Sequence, residues 1–354
     1  MNKHLVQAPA AAALLFLAAC GGSSGAGVSP ASGQDARAAS AAPASASAAA
    51  SAQAKPAASE PLKLTMATAS LSASFSIPWI ADATGAFAKR GLSVSMPFME
   101  QTPAAFAAMV AGEVNAMEVS AAPVITANVN GKLDLVYVAS IMNHPQFALY
   151  VGPSIKTAED LKGKVLATDQ PYFPNDYGMQ IALSKLKLKA SDVQLRRIGS
   201  TDKEWAALSS KQVDGAILSP PFAFTAEKAG YHVIADTFDV PYQNVGIVMP
   251  RSRIDSLTPA LMPMLLAIRE AIQTYNTQAD AAMKIISERT KETDPEILKK
   301  TYEFYKTQAP WEPSLQPTLP GIQGMMDFLA GGTPEIKNTK PEQYVDLRLL
   351  QKLG

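Results

Sequence analysis

Cysteine is all but absent from this 354-residue chain. Cys20 stands alone, which excludes an intramolecular disulfide framework and any cysteine-rich zinc or iron–sulfur centre. Histidine is scarce as well: His4, His144 and His232 are scattered, and no metal site is expected. Neither sign of charge dominates, with 31 Lys and Arg against 31 Asp and Glu, and no run of five like charges occurs. Nothing therefore supplies the field that draws a chain to nucleic acid. The metalloprotease pattern H-E-x-x-H, the phosphate loop G-x-x-x-x-G-K-[ST] and a G-x-G-x-x-G turn between strand and helix are missing, so no cofactor is expected. Gly21-Gly22-Ser23-Ser24-Gly25 matches the letters of a hydrolase nucleophile elbow. It lies in a glycine/serine tract with no strand or helix to hold the serine over an oxyanion hole, and no catalytic residue is assigned.

What is present begins with a basic start (Met1, Asn2, Lys3, His4) and an apolar stretch from Leu5 to Ala19, interrupted by Gln7 and Pro9. It falls short of the roughly 20 residues of a membrane span and has the parts of an export signal, expected over 1–19. Its end, Leu17-Ala18-Ala19-Cys20-Gly21, resembles the bacterial lipobox. That resemblance implies a lipid on Cys20 as the first mature residue, an exported protein, and an anchor on a membrane facing the periplasm or cell exterior. The other reading of Cys20 is a small buried thiol. Residues 20–60 are almost entirely Ala, Ser, Gly and Pro after the cysteine, with too little apolar surface to offset the entropy of ordering, and are expected to be a disordered linker.

From Leu62 onward short β-type runs alternate with helical ones. Strands are expected at 62–69, 92–98, 114–119 and 133–139, with helices at 77–89, 103–111 and 123–129; Thr102 is a plausible N-cap ahead of Pro103, with Gly112 past the end. A second set follows, with strands at 165–168, 193–198, 213–218 and 232–235 and helices at 177–186, 203–209 and 222–230. A strand at 245–249 then precedes a helical tail at 259–277, 279–290, 295–306 and 322–329. Such alternation argues for parallel sheets flanked by helices. Two sets imply two α/β lobes, 61–145 plus 245–354 and 146–244, with the tail packed back on the first, so that the chain crosses twice.

The residues also carry a family resemblance. Ser74-Phe75-Ser76-Ile77-Pro78-Trp79-Ile80-Ala81 with Gly85-Ala86-Phe87-Ala88-Lys89-Arg90-Gly91-Leu92 is similar to the opening of the nitrate/sulfonate/taurine-type periplasmic binding proteins, which include thiamine-precursor binders. Met109-Val110-Ala111-Gly112-Glu113-Val114, the run from Ile155 to Lys164, Ala206-Ala207-Leu208 and the run from Val213 to Pro221 extend the likeness over roughly residues 62 to 250. The resemblance implies a two-lobed fold with two crossover strands (type II) that closes on a small-molecule ligand, a monomer, and delivery to the permease subunits of an ABC importer. A lipoprotein that presents its ligand to a receptor or sensor is the alternative. Fungal pyrimidine synthases of thiamine biosynthesis also resemble this family, but they carry a cysteine-rich motif that this chain lacks, and no enzyme is expected.

Ligands of open α/β sheets bind beyond the carboxyl ends of the strands. That rule selects Ser72, Ser74, Phe75 and Ser76 after the first strand, as anion-binding hydroxyls and helix-end N–H groups or as mere caps. It selects Ser120 and Ala121 after the third. Glu118 reads either as a cleft carboxylate or, preferred here, as a solvated edge charge. Asn143 and His144 fall at the first crossover, where His144 is a ligand contact or structural. Asn175, Asp176 and Tyr177 follow a stretch in which acids and rings replace the family's glycine/serine turn. That departure disfavours nitrate or a simple sulfonate and favours an aromatic or nitrogen-bearing ligand, unless Asn175 and Asp176 only cap the helix. Ser219 and Pro220 end a strand, and Tyr242 lies at the second crossover. Arg196 and Arg197 point opposite ways on a strand and read as a surface pair.

Overall fold

The alternation of strand and helix builds two five-stranded sheets, seen in a computed structural model that describes residues 60–353. The expected export signal, most of the expected linker and Cys20 lie outside the described residues. The first sheet is laid down by β1 (Leu62–Thr68), α1 (Ser76–Ala83), β2 (Leu92–Ser95), α2 (Thr102–Ala111), β3 (Ala116–Val119), α3 (Ala121–Gly131) and β4 (Leu135–Met142). The second comprises β5 (Ala148–Val151), β6 (Val165–Thr168), α4 (Pro174–Lys185), β7 (Gln194–Arg197), α5 (Thr201–Ser209), β8 (Gly215–Leu218), α6 (Phe222–Lys228) and β9 (His232–Asp236). The chain then returns through β10 (Val245–Pro250), which lies between β3 and β4 in the order β2-β1-β3-β10-β4. The second sheet has the order β7-β6-β8-β5-β9.

β1 runs parallel to β2 and β3, and β6 parallel to β7 and β8, whereas β10 and β5 are antiparallel to their neighbours. β3, β4, β5, β8 and β10 are buried at every position, as expected of strands covered on both faces. β5 is the strand that sequence pattern does not mark. Four buried residues next to Pro145 show no alternation.

Register fixes where the two sheets meet. Val245 pairs with Met142 and Gly246 with Val119, while Ala148 pairs with both Leu218 and Asp236. Both crossovers, 143–147 and 237–244, therefore join the carboxyl edge of one sheet to that of the other. They run side by side: the N–H groups of Asn244 and Tyr242 donate to the carbonyls of Met142 and Asn143, both at 3.2 Å, and Thr237 donates its N–H to the Phe147 carbonyl at 3.1 Å.

The tail comprises α7 (Ile254–Thr277), α8 (Ala279–Thr290), α9 (Pro295–Thr307), α10 (Leu319–Leu329) and α11 (Arg348–Leu353). α7 starts five residues before the expected Pro259 and accommodates Pro259 and Pro263 within it. A mid-helix proline costs about 3 kcal/mol. Burying Leu261, Met264, Leu265, Ile268 and Ile272 in the core shared with α1 offsets that cost. α1 is shorter than expected, because the Thr84 hydroxyl bonds the Ile80 carbonyl at 2.7 Å and Gly85 turns the chain at φ +71. α2 begins at Thr102 itself, with Gln101 as its N-cap. The tail does pack on the first lobe, but α9 and α10 also reach the second. Phe304 of α9 meets Phe224 and Phe238 edge-on, with centroids 6.0 and 5.1 Å away, and Phe328 of α10 lies 5.0 Å from Tyr177.

α10 enters against the second crossover through Gly321, where a Cβ would stand 2.6 Å from the Gln243 nitrogen and 2.7 Å from the Tyr242 carbonyl carbon. Backbone cannot give way as a side-chain tip can. Gly321→Ala should lower unfolding free energy by about 1–3 kcal/mol in urea, while Gln323→Ala, exposed on the same helix, should change it by less than about 0.5 kcal/mol. Equal effects would show that α10 does not bear on the crossover.

Candidate functional site

The carboxyl edges gather the buried polar groups. All buried polar and charged residues among those described, apart from Thr274, Thr301 and Asp346, lie at or near strand ends, in the first turns of the following helices, or on the crossovers. Folding normally leaves such groups in water or pairs them. Here the side-chain atoms Ser76 Oγ, Glu118 Oε1, Thr168 Oγ1, Glu204 Oε1 and Tyr242 Oη are shut away without a hydrogen-bonding partner. They make up most of the orphaned side-chain atoms among the described residues; Arg269, Thr301 and Trp311 supply the others.

On the first sheet, β1 ends at Thr68 and β3 presents Glu118 opposite it in register. Strand alternation puts Glu118 on the face of Ala116, which belongs to the core covered by α1. Glu118 is 1% exposed, which corrects the expectation of a solvated edge charge. Burial pushes its carboxyl well above the usual carboxylate range, and the neighbouring Thr68 hydroxyl only partly pulls it back. Ser72 and Ser74 share a hydroxyl–hydroxyl hydrogen bond of 2.8 Å, and Ser74 and Ser76 are fully buried. Phe75 is part of the apolar core rather than a rim. Ser120 precedes α3, and the Ala121 N–H donates to the Gln243 carbonyl at 3.2 Å.

At the crossovers the polar side chains hold each other. Ser140 donates to Asn143 Oδ1 at 2.7 Å, and Asn143 Nδ2 donates to the Gln316 carbonyl at 2.8 Å and to Glu312 at 3.2 Å, so both ends of that amide are engaged. His144 contributes its carbonyl, which accepts from Asn244 Nδ2 at 2.9 Å. Gln243 donates to Ser140 Oγ at 2.8 Å and accepts from the Thr318 N–H at 3.0 Å. Tyr305 of α9 donates to Gln146 Oε1 at 2.8 Å. Tyr242 is fully buried, stacks on Tyr177 at 5.4 Å and lies beside Ser120, although its hydroxyl meets no partner at hydrogen-bonding geometry.

On the second sheet, β6 ends at the buried Thr168, and the first turns of α4 and α5 approach above it. Asn175 Nδ2 donates to Glu204 Oε2 at 2.9 Å, leaving Oε1 unpartnered. Burial pushes Glu204 well above the carboxylate range; Asn175 pulls it down, and the charges of Asp169 and Asp202 push it further up. Ser219 and Pro220 close β8, and the Ser219 N–H bonds Thr201 Oγ1 at 3.2 Å. Asp176 is spoken for: it pairs with Arg197 and accepts the Tyr172 N–H at 2.9 Å. Arg197 is thus an inward ion-pair partner rather than half of a surface pair, while Arg196 turns the other way to the Gln212 carbonyl.

Glu204 and Thr168 escape the sequence reading. Thr201-x-x-Glu204 has capping-box spacing, so a helix start is the ordinary explanation of that glutamate. Only the fold shows its carboxylate turned to Asn175 instead.

Residues 73–281, more than half of the chain, match the family model described as NMT1/THI5 like. Among solved structures, a protein from Bordetella bronchiseptica RB50 is similar with a TM-score of 0.67 at 21% identity, over 83% of this chain and 97% of its own. The periplasmic aliphatic sulphonate binding protein SsuA from Escherichia coli follows with 0.65 at 17% identity, over 81% and 92%. The desulfurization enzyme DSZB shares the architecture too, with 0.62 at 13% identity, over 82% and 98%. At such identities these likenesses establish the two-lobed periplasmic-binding-protein fold and no more. No curated protein matches the chain.

The raised carboxyls have a consequence for stability. A group whose pKa is higher folded than unfolded binds its proton more tightly in the native state, so its contribution is complete below the unfolded value and is lost as pH climbs toward the folded one. Glu118→Gln and Glu204→Gln should therefore gain stability relative to the parent as pH rises above about 4.3. Urea denaturation across a pH series measures the difference; a pH-independent offset would mean that both carboxyls ionise normally.

Proposed function

The chain belongs to the NMT1/THI5-like family, and from that premise we propose that it is an extracytoplasmic, lipid-anchored solute-binding protein. It captures a small organic ligand, aromatic or nitrogen-bearing, between its lobes and delivers it to the permease of an ABC importer as a monomer. The observation that carries this reading is the seam of buried, partly orphaned polar groups where two carboxyl edges face each other across paired crossovers. Solute recognition needs such a seam together with a hinge that lets it open, because closure must be favoured by what is bound. Binding rather than catalysis is further supported by the sequence, whose one nucleophile-like pattern, Gly21 to Gly25, lies in a glycine/serine tract with no flanking strand and helix.

Anchoring rests on Cys20 and its lipobox-like setting. Among the described residues no helix is long and apolar enough to cross a membrane.

The test is a thermal-shift and scattering screen of the full chain against nitrate, alkanesulfonates, pyrimidines and aromatic acids and amines. A cognate ligand at about 100 times its Kd should add about 2.7 kcal/mol of stability and make the particle more compact. Failure of every small molecule to do either would overturn the solute-binding reading. Cys20→Ala should move the protein from the membrane to the soluble fraction with ligand response intact; continued need for detergent would show another anchor.

A further inference from the structure

Four acidic side chains are buried among the described residues: Glu118, Asp176, Glu204 and Asp346. Asp176 is paired with Arg197, and Asp346 with Arg348 and Arg251. Glu118 and Glu204 have no cation, and each keeps one oxygen without any partner. One stands on each carboxyl edge, with an orphaned hydroxyl on the same edge: Ser76 Oγ on the first sheet and Thr168 Oγ1 on the second.

A buried acid without a cation is costly, and a scaffold could use glutamine or an apolar residue of similar size instead. Glu118 stands near the carboxyl end of β3 and Glu204 in the first turns of α5 against Asn175, each at the edge of its own sheet, and nowhere else in the described residues does an acid go unpaired at such depth. What would satisfy them is a set of N–H donors arriving from outside. A sulfonate or other anion brings acceptors alone, so it can pair with each acid only through that acid's single O–H and is repelled once the acid ionises, whereas N–H donors can satisfy every carboxyl oxygen.

We propose that Glu118 and Glu204 together receive the N–H groups of one small nitrogen cation, an amine, amidine or guanidine, clasped between the lobes. This assignment rests on the solute-binding reading above and specifies its ligand class. One carboxyl gives its proton to solvent for each positive charge the ligand brings, so a monocation leaves the other carboxyl protonated and accepting an N–H through its carbonyl oxygen, whereas a dication ionises both. The orphaned Ser76 and Thr168 hydroxyls accept further N–H groups from the same ligand.

Two pairs of probes matched in shape but opposite in charge test the inference on the full chain: benzamidine against benzenesulfonate, and 1,4-diaminobutane against 1-butanesulfonate. At least one nitrogen cation should raise the melting temperature and bind in calorimetry, with its sulfonate counterpart silent. Glu118→Gln and Glu204→Gln, which keep side-chain volume, should each weaken that cation at least about tenfold with the circular dichroism spectrum unchanged. Silence of both cations overturns the assignment. A response to a sulfonate in that case leaves the solute-binding reading standing and removes only the ligand class. Cation binding of unchanged affinity in both glutamine variants also overturns it, placing the ligand elsewhere.

Discussion

Two passages of chain, 143–147 and 237–244, lie side by side and exchange backbone hydrogen bonds, and the position of everything else follows from that ribbon. Each passage leaves one sheet at its carboxyl edge and enters the other at its carboxyl edge, so both edges are turned inward. Gln243 then ties the ribbon to β4 through Ser140, to α3 through Ala121, and to the approach of α10 through Thr318. Each of these bonds is worth only about 1 kcal/mol net, yet breaking one would strand a buried group. Their joint effect is to hold both passages, β4, α3 and the approach of α10 in one network.

Polarity is distributed accordingly. Apolar side chains fill both faces of each sheet, and the buried hydroxyls, amides and acids are left to the edges between the sheets. Some of these groups serve the scaffold: Asn143, Asp176 and Gln243 have their needs met locally. Others do not, and Glu118 and Glu204 are the sharpest cases. α9 and α10 brace the two lobes from the tail, through Phe304 and Phe328. Those aromatic contacts favour the arrangement in which the two edges face each other, the same arrangement that a ligand held between the lobes would favour.

Much of the architecture was legible in the sequence, because helix and strand signals alternate cleanly and the family motifs span both lobes. The return of the chain through β10 could be placed from an apolar run following the polar Tyr242-Gln243-Asn244. β5 could not, since a short strand buried on both faces has no alternation. The site was legible as a set of loops but not as a set of roles. Asn143 and Asp176 have the chemistry of ligand contacts, and only three-dimensional neighbours, Gln316 and Arg197, show them to be engaged. Glu118 shows the converse: an acid near the end of a four-residue strand reads as exposed, and only the fold shows that strand to be covered on both faces. Long-range contacts decide such cases.

The most direct measurement is a crystal structure of the protein with whichever nitrogen cation stabilises it most. Ligand nitrogen is expected within hydrogen-bonding distance of both Glu118 Oε1 and Glu204 Oε1, with Tyr177 and Tyr242 close by. Ligand density away from the paired crossovers, or bound at that seam with both carboxyl oxygens still unpartnered, would contradict this expectation.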